Sequence, residues 1–319
     1  MNHKKNHFLV KILAAALLFC AVSPGVISQE KRALTVLPES IKPGEPLAIA
    51  VTTPGYENLT ADITDLNGKR IGRSKFFPLT SGESIQVSLW AVPSTAVPGK
   101  AVITVKDGQI TIGTIPLTIE QRDFPSEELA LSAGNTALRT EPDPQKTRES
   151  EILWQILSTT GKDVYCTDPV FMPPVESKRR TSFYGTRRVY VYSNGTRDTS
   201  IHAGVDYGVP LGTPVKACSS GLVVLANPRI ISGNSIIIEH YPGVYSIYYH
   251  LDKIHVKEGD LVEIGKVIGL SGTTGFSTGP HLHWEMRVAT ENADPDAFLA
   301  RKLLDKEAII SKINSLIKN

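Results

Sequence analysis

The stretch Ser277–Val288, "STGPHLHWEMRV", decides how this chain is read. A strand alternates its side chains, so His281 and His283 project from one face while Leu282 and Trp284 project from the other. The apolar pair suits a core and the imidazole pair a shared site. A lone H-x-H equally suits an edge strand with two solvated histidines. The pair therefore gains meaning only from partners elsewhere, and the chain has only eight histidines to supply them.

Upstream, "SIHAGVDYGVP" (Ser200–Pro210) sets His202 and Asp206 four positions apart. Residues at i and i+4 share a face in extended chain as in a helix, and Gly204, Gly208 and Pro210 argue against the helix. In "SIYYHLDK" (Ser246–Lys253), His250 ends a run of aromatic strand character. Taken singly, each of these is most simply a structural or solvated side chain. Taken in order, His202, Asp206, His250, His281 and His283 all lie beside glycine-containing turns in one β-rich region.

With those residues in place, Ser182–Val224 ("SFYGTRRVYVYSNGTRDTSIHAGVDYGVPLGTPVKACSSGLVV") and Tyr248–Val288 resemble the lysostaphin-type zinc endopeptidases, which cut bacterial peptidoglycan. The resemblance implies that His202, Asp206 and His283 hold one Zn2+ ion. Two imidazoles and a carboxylate with an open fourth position suit hydrolytic zinc chemistry, in which the ion activates water and polarises a carbonyl. It further implies that His250 and His281 form a catalytic pair of non-ligands. One takes a proton and the other stabilises the oxyanion, in an order the sequence leaves open. Glu285, on the face of His281 and His283, is either an acceptor that orients a ligand imidazole or a surface ion-pair partner. His240 and His255 match no motif position. Glu239 and Tyr241 depart from the family pattern around His240, which bears on loop shape rather than on the ligands.

The expected fold is mainly β. From residue 33 to 121 short apolar runs alternate with turn residues, as in an immunoglobulin-like β-sandwich. Asn67-Gly68 and Asp107-Gly108 read as type I′ hairpin centres. Residues 122–160 read as a linker with one helix, for which Asp143 is the N-cap, Pro144 the first position and Gly161 the stop. An apolar stripe of Ile152, Leu153, Ile156 and Leu157 should pack on a domain. A bolder reading lays the linker across the groove and keeps an enzyme latent. Residues 165–300 read as an antiparallel β-sheet metallopeptidase domain with a groove, and residues 301–319 as a helical tail.

Composition sets outer limits. A formal net charge of +2 gives no general attraction to nucleic acid. Arg179, Arg180, Arg187, Arg188 and Arg197 read as a solvated basic loop, with long-range attraction to an anionic wall polymer as the alternative. Residues 1–28, with Lys4, Lys5, Lys11 and an apolar run from Ile12 to Val22, have the layout of a secretory signal. Cys20 raises lipid modification and a membrane tether as a rival, against which Phe19 argues. An extracytoplasmic site would permit a Cys166–Cys218 disulfide, with two buried thiols as the alternative. The expectation is thus a secreted zinc metalloendopeptidase acting on peptidoglycan peptides. Its rivals are a catalytically inactive wall-binding regulator of another hydrolase and an adhesion protein acting through the N-terminal region.

Overall fold

In the computed structural model, the described residues are 33–52, 58–80, 84–161, 163–166 and 170–318, so the signal and its rival anchor lie outside them. Strand Pro46–Thr52 shows how the first part of the fold is held. It is buried on both faces, with Leu47, Ile49 and Val51 in one apolar cluster and Ala48 and Ala50 in another. The small alanines let one side pack closely while the large residues fill the other.

Leu34–Leu37, Pro46–Thr52, Ile85–Ala91 and the end of Arg70–Pro78 are hydrogen-bonded neighbours in that order. The beginning of Arg70–Pro78 pairs instead with Leu59–Asp65, which leads on to Gly99–Asp107, Ile110–Ile119 and Ser40–Ile41. One long strand thus joins two halves of a sheet path that close over Ile49, Ile63, Trp90 and Ile103.

The two hairpin centres differ from the type I′ expectation. Register places Asp107 opposite Ile110, so the loop is Gly108-Gln109, and only Gly108 has positive φ. At the other turn Gly68 alone is left-handed, at φ 78°. One glycine per turn is enough because each loop needs only one residue in the region that L side chains avoid.

The second part is an antiparallel sheet built around Val244–Ile254, which lies between Gly233–Tyr241 and Leu282–Val288. Trp284, Leu282 and Met286 are fully buried in a cluster that also takes in Ala48, Val87 and Leu89 of the first part. Apolar packing is therefore continuous between the two. Polar ties cross it as well: Arg122 pairs with Asp294 at 2.5 Å, and Arg301 donates to the Pro46 carbonyl at 2.7 Å.

The linker is more structured than a single helix. Ser126–Ala130 is a strand, and two helices follow, Ala133–Thr140 and Pro144–Ser158. Asp143 caps the second helix by accepting from the Gln145 N–H, and Pro144 opens it, but it ends at Thr159 before Gly161. Leu157 is buried and Leu153 and Ile156 are partly buried, whereas Ile152 faces out. The C-terminal segment holds Pro295–Ala300 and Lys306–Lys318, and Ile309 and Ile313 of the latter enter the shared cluster. Among the described residues, no helix is long and apolar enough to cross a membrane. Cys166 and Cys218 are both buried.

Candidate metal centre

Three neighbouring segments build the site. Val205–Tyr207 pairs antiparallel with Leu282–Val288, and the register sets Asp206 directly opposite His283. His202 lies just beyond strand Arg197–Ile201, so a short non-helical connection rather than a continuous strand brings it four residues from Asp206. Gly204 lies within that connection, where a Cβ would come 2.2 Å from the Trp284 carbonyl oxygen. No other residue fits so close to the neighbouring backbone without displacing it.

The donor atoms converge. His202 Nε2 lies 3.1 Å from Asp206 Oδ1 and 3.0 Å from His283 Nδ1, and the last two are 2.7 Å apart. Ligands of a tetrahedral zinc site at about 2.0–2.1 Å from the ion are separated from one another by roughly 3.3 Å. The observed spacing is slightly tighter and of the right size. All three side chains are buried, and their ligating atoms lie within 4.8 Å of one another.

The outer atoms are also engaged, which fixes what each group presents inward. His202 Nδ1 lies 2.9 Å from the Phe183 carbonyl, which can only accept, so Nδ1 carries the proton and Nε2 is left to the centre. His283 Nε2 donates to Glu285 Oε1 at 2.9 Å, leaving Nδ1 inward. The Tyr249 ring lies parallel to that imidazole, 8° between planes and 5.5 Å between centroids. Asp206 Oδ2 accepts from Arg188 Nη2 at 2.9 Å, so Oδ1 alone faces the histidines.

Electrostatics point the same way. Burial would raise the Asp206 pKa, but its bonds to His202 and His283 hold it well below the usual carboxylate range. Burial would lower that of His283, but Asp206 and Glu285 outweigh it and push the imidazole up to about 9. A buried cluster that favours a proton among its donors has the charge distribution suited to a cation. The three residues therefore fit a metal ion of the zinc class, judged from both spacing and donor chemistry.

His250 and His281 stand beside this cluster. Their ring centroids are 4.8 Å apart, and His250 is 6.1 Å from His283 by the same measure. His281 Nε2 is 3.8 Å from Asp206 Oδ1. His281 precedes strand Leu282–Val288 and is held by a single bridge to Gly272. His250 does not end its strand. It sits inside Val244–Ile254 at φ 61°, where pairing passes from Leu282–Val288 to Val267–Ser271. Each ring donates Nδ1–H to a carbonyl at 2.8 Å, Thr274 for His250 and Gly279 for His281, which leaves Nε2 available on both. Burial, then the neighbouring His281 and His283, push the His250 pKa down to about 3.

A cleft of about 460 Å³ opens over these five residues. Its walls include Tyr190, Phe276 and, from the linker, Glu127 and Arg139. Glu127 and Tyr249 are contributors that the sequence did not mark, and Arg188 joins them from the segment read as a basic loop. Most of the arginines read as a solvated loop are in fact paired: Arg180 with Asp296, Arg188 with Glu127 and Asp206, and Arg197 with Glu128. His240 lies apart, fully buried, donating Nδ1–H to the Ser220 carbonyl and accepting from the Ser246 hydroxyl.

Residues 200–295 match the sequence profile of Peptidase family M23. Over 116 residues the chain is 42% identical to the peptidoglycan DD-endopeptidase ShyA of Vibrio cholerae, a match spanning 36% of this chain and 26% of ShyA. Over 90 residues it is 49% identical to lysostaphin of Staphylococcus staphylolyticus, spanning 28% of this chain and 19% of that protein. The resemblance read from the motifs is thereby borne out. The matched segments span only 18% to 39% of the lengths of such curated relatives. A crystal structure assigned to peptidase M23 from Pseudomonas aeruginosa shares the fold, with a TM-score of 0.56 at 22% identity, over 81% of this chain and 94% of that one. The mainly β architecture is thus common to both beyond the matched segment.

Proposed function

We propose that this chain, whose residues 200–295 form a Peptidase family M23 domain, is a zinc-dependent endopeptidase that cleaves peptide bonds of peptidoglycan outside the cytoplasm. The observation that carries this reading is the convergence of His202 Nε2, Asp206 Oδ1 and His283 Nδ1 beside two further imidazoles with available Nε2 atoms. The wall substrate is supported by the relative ShyA, a peptidoglycan DD-endopeptidase.

In this reading His202, Asp206 and His283 hold the ion, which supplies Lewis acidity toward the scissile carbonyl and toward water. Glu285 and the Phe183 carbonyl keep the two ligand imidazoles in the tautomers that face inward. His250 and His281, neither spent on the ion, take up and return the proton at Nε2 and hydrogen-bond the oxygen on which charge develops. Their Nδ1–H bonds to backbone carbonyls fix the rings without using the reactive nitrogen. The cleft is where the peptide would lie, with Tyr190 and Phe276 in edge-to-face contact on its wall.

The test is direct. The full chain, loaded with zinc, is incubated with purified peptidoglycan with and without a chelator, and released fragments are identified by mass spectrometry. Chelator-sensitive loss of cross-linked fragments is the expected result and names the bond cleaved. Intact peptidoglycan after incubation with verified zinc-loaded protein would overturn the proposal.

A further inference from the structure

The strand Ser126–Ala130 lies far from the matched family segment in sequence, yet it runs parallel to Arg187–Val191 with Glu127 opposite Arg188. Here the Arg188 guanidinium is divided between two carboxylates: Nε donates to Glu127 Oε1 at 2.6 Å and Nη2 to Asp206 Oδ2 at 2.9 Å. The same Glu127 oxygen accepts from the Ser182 hydroxyl at 3.3 Å, and Ser182 Oγ lies 3.3 Å from His202 Nδ1. One linker carboxylate thus reaches two of the three candidate ligands, each through a single intermediate.

We propose that Glu127 and Arg188 are positioning residues of the metal centre, so that the strand preceding the peptidase domain is a working part of it. This rests on the reading that His202, Asp206 and His283 hold an ion. By occupying Oδ2, Arg188 restricts Asp206 to presenting Oδ1. A cation so close to a metal site would by itself oppose metal binding, and Glu127 offsets that charge while holding the guanidinium plane. Arg188 is suited to this because its fork reaches two acceptors in fixed directions, which an ammonium does not.

The inference is tested by zinc affinity in the full chain, measured by competition with a chromophoric chelator, alongside the melting temperature of the chelated, metal-free protein. Loss of a residue that orients a ligand typically weakens metal binding about 10–100-fold. Arg188→Ala is expected to fall in that range, Glu127→Gln to weaken zinc by roughly tenfold, and Arg188→Lys not to restore affinity. Because the shorter bond of Glu127 is to Arg188, at 2.6 Å against 3.3 Å to Ser182, Glu127→Gln should weaken zinc less in an Arg188→Ala background than in the parent. Additive effects, or parental zinc affinity in a normally folded Glu127→Gln protein, would overturn the inference while leaving the metal centre intact. A parent chain that takes up no zinc would remove the metal reading and this inference with it.

Discussion

His283 donates to Glu285 at 2.9 Å from two positions away on the same strand, and Glu285 in turn accepts from Arg287 Nε and Nη2 at 2.9 and 2.7 Å. Strand alternation puts all three side chains on one face, so a short segment carries a candidate ligand, its acceptor and that acceptor's counter-ion. Beneath them, Leu282, Trp284 and Met286 anchor the opposite face in the core. The geometry of the centre is thereby tied to the packing of the strand.

Glu285→Gln should weaken zinc by about 10–100-fold, because the amide can accept from His283 but turns its NH₂ toward Arg287. Glu285→Ala goes further and leaves a largely buried guanidinium without its partner, at a cost of about 3 kcal/mol. Chelator competition and thermal unfolding of the metal-free variants check the two effects separately. Unchanged zinc affinity in both variants would show that Glu285 does not orient His283.

His281→Ala should retain zinc and lose about 10²–10⁴-fold in hydrolysis, whereas His202→Ala and His283→Ala should lose zinc as well. For His250 the informative substitution is Asn, since φ 61° is better tolerated by Asn than by Ala. It should behave as His281→Ala does. Zinc content by elemental analysis, set against peptidoglycan cleavage rates, separates the two groups. Loss of metal from His281→Ala would reassign that residue as a ligand.

Gly204→Ala should damage the centre without touching any donor. The added Cβ would meet backbone oxygen of Trp284 at 2.2 Å, so the connection from His202 to Asp206 must move. Overpacking of this kind costs about 1–3 kcal/mol. Zinc affinity should fall together with the melting temperature, and a variant with the parental values of both would show that this segment yields easily.

His240 makes stability depend on pH. Burial lowers its pKa to about 4 in the folded chain, against roughly 6.5 when unfolded. Between those values the unfolded chain binds the additional proton, so the contribution is full above about pH 6.5 and is lost as the pH falls toward 4. The loss between pH 7 and 4.5 is about 2–3 kcal/mol. Urea unfolding of chelated protein at the two pH values measures it, and His240→Gln should show a correspondingly shallower dependence. Equal slopes for parent and variant would place the acid sensitivity elsewhere.

Periodic and local features are legible in the order of the amino acids. Alternation in "HLHWEMRV" set the imidazoles apart from Leu282 and Trp284, and Asp143-Pro144 marked a helix start that the structure contains. The glycine turns were visible too, although register rather than the dipeptide decided which residue takes positive φ. Features that depend on partners distant in the chain emerge only once the sheets are assembled. Nothing near Glu127 announces Arg188, because their meeting rests on the register of a parallel strand pair 61 positions apart. Nothing near His250 shows that its strand changes partners there. Side-chain period is a property of the backbone and travels with the sequence, whereas register is settled by the burial of both faces of a sheet at once.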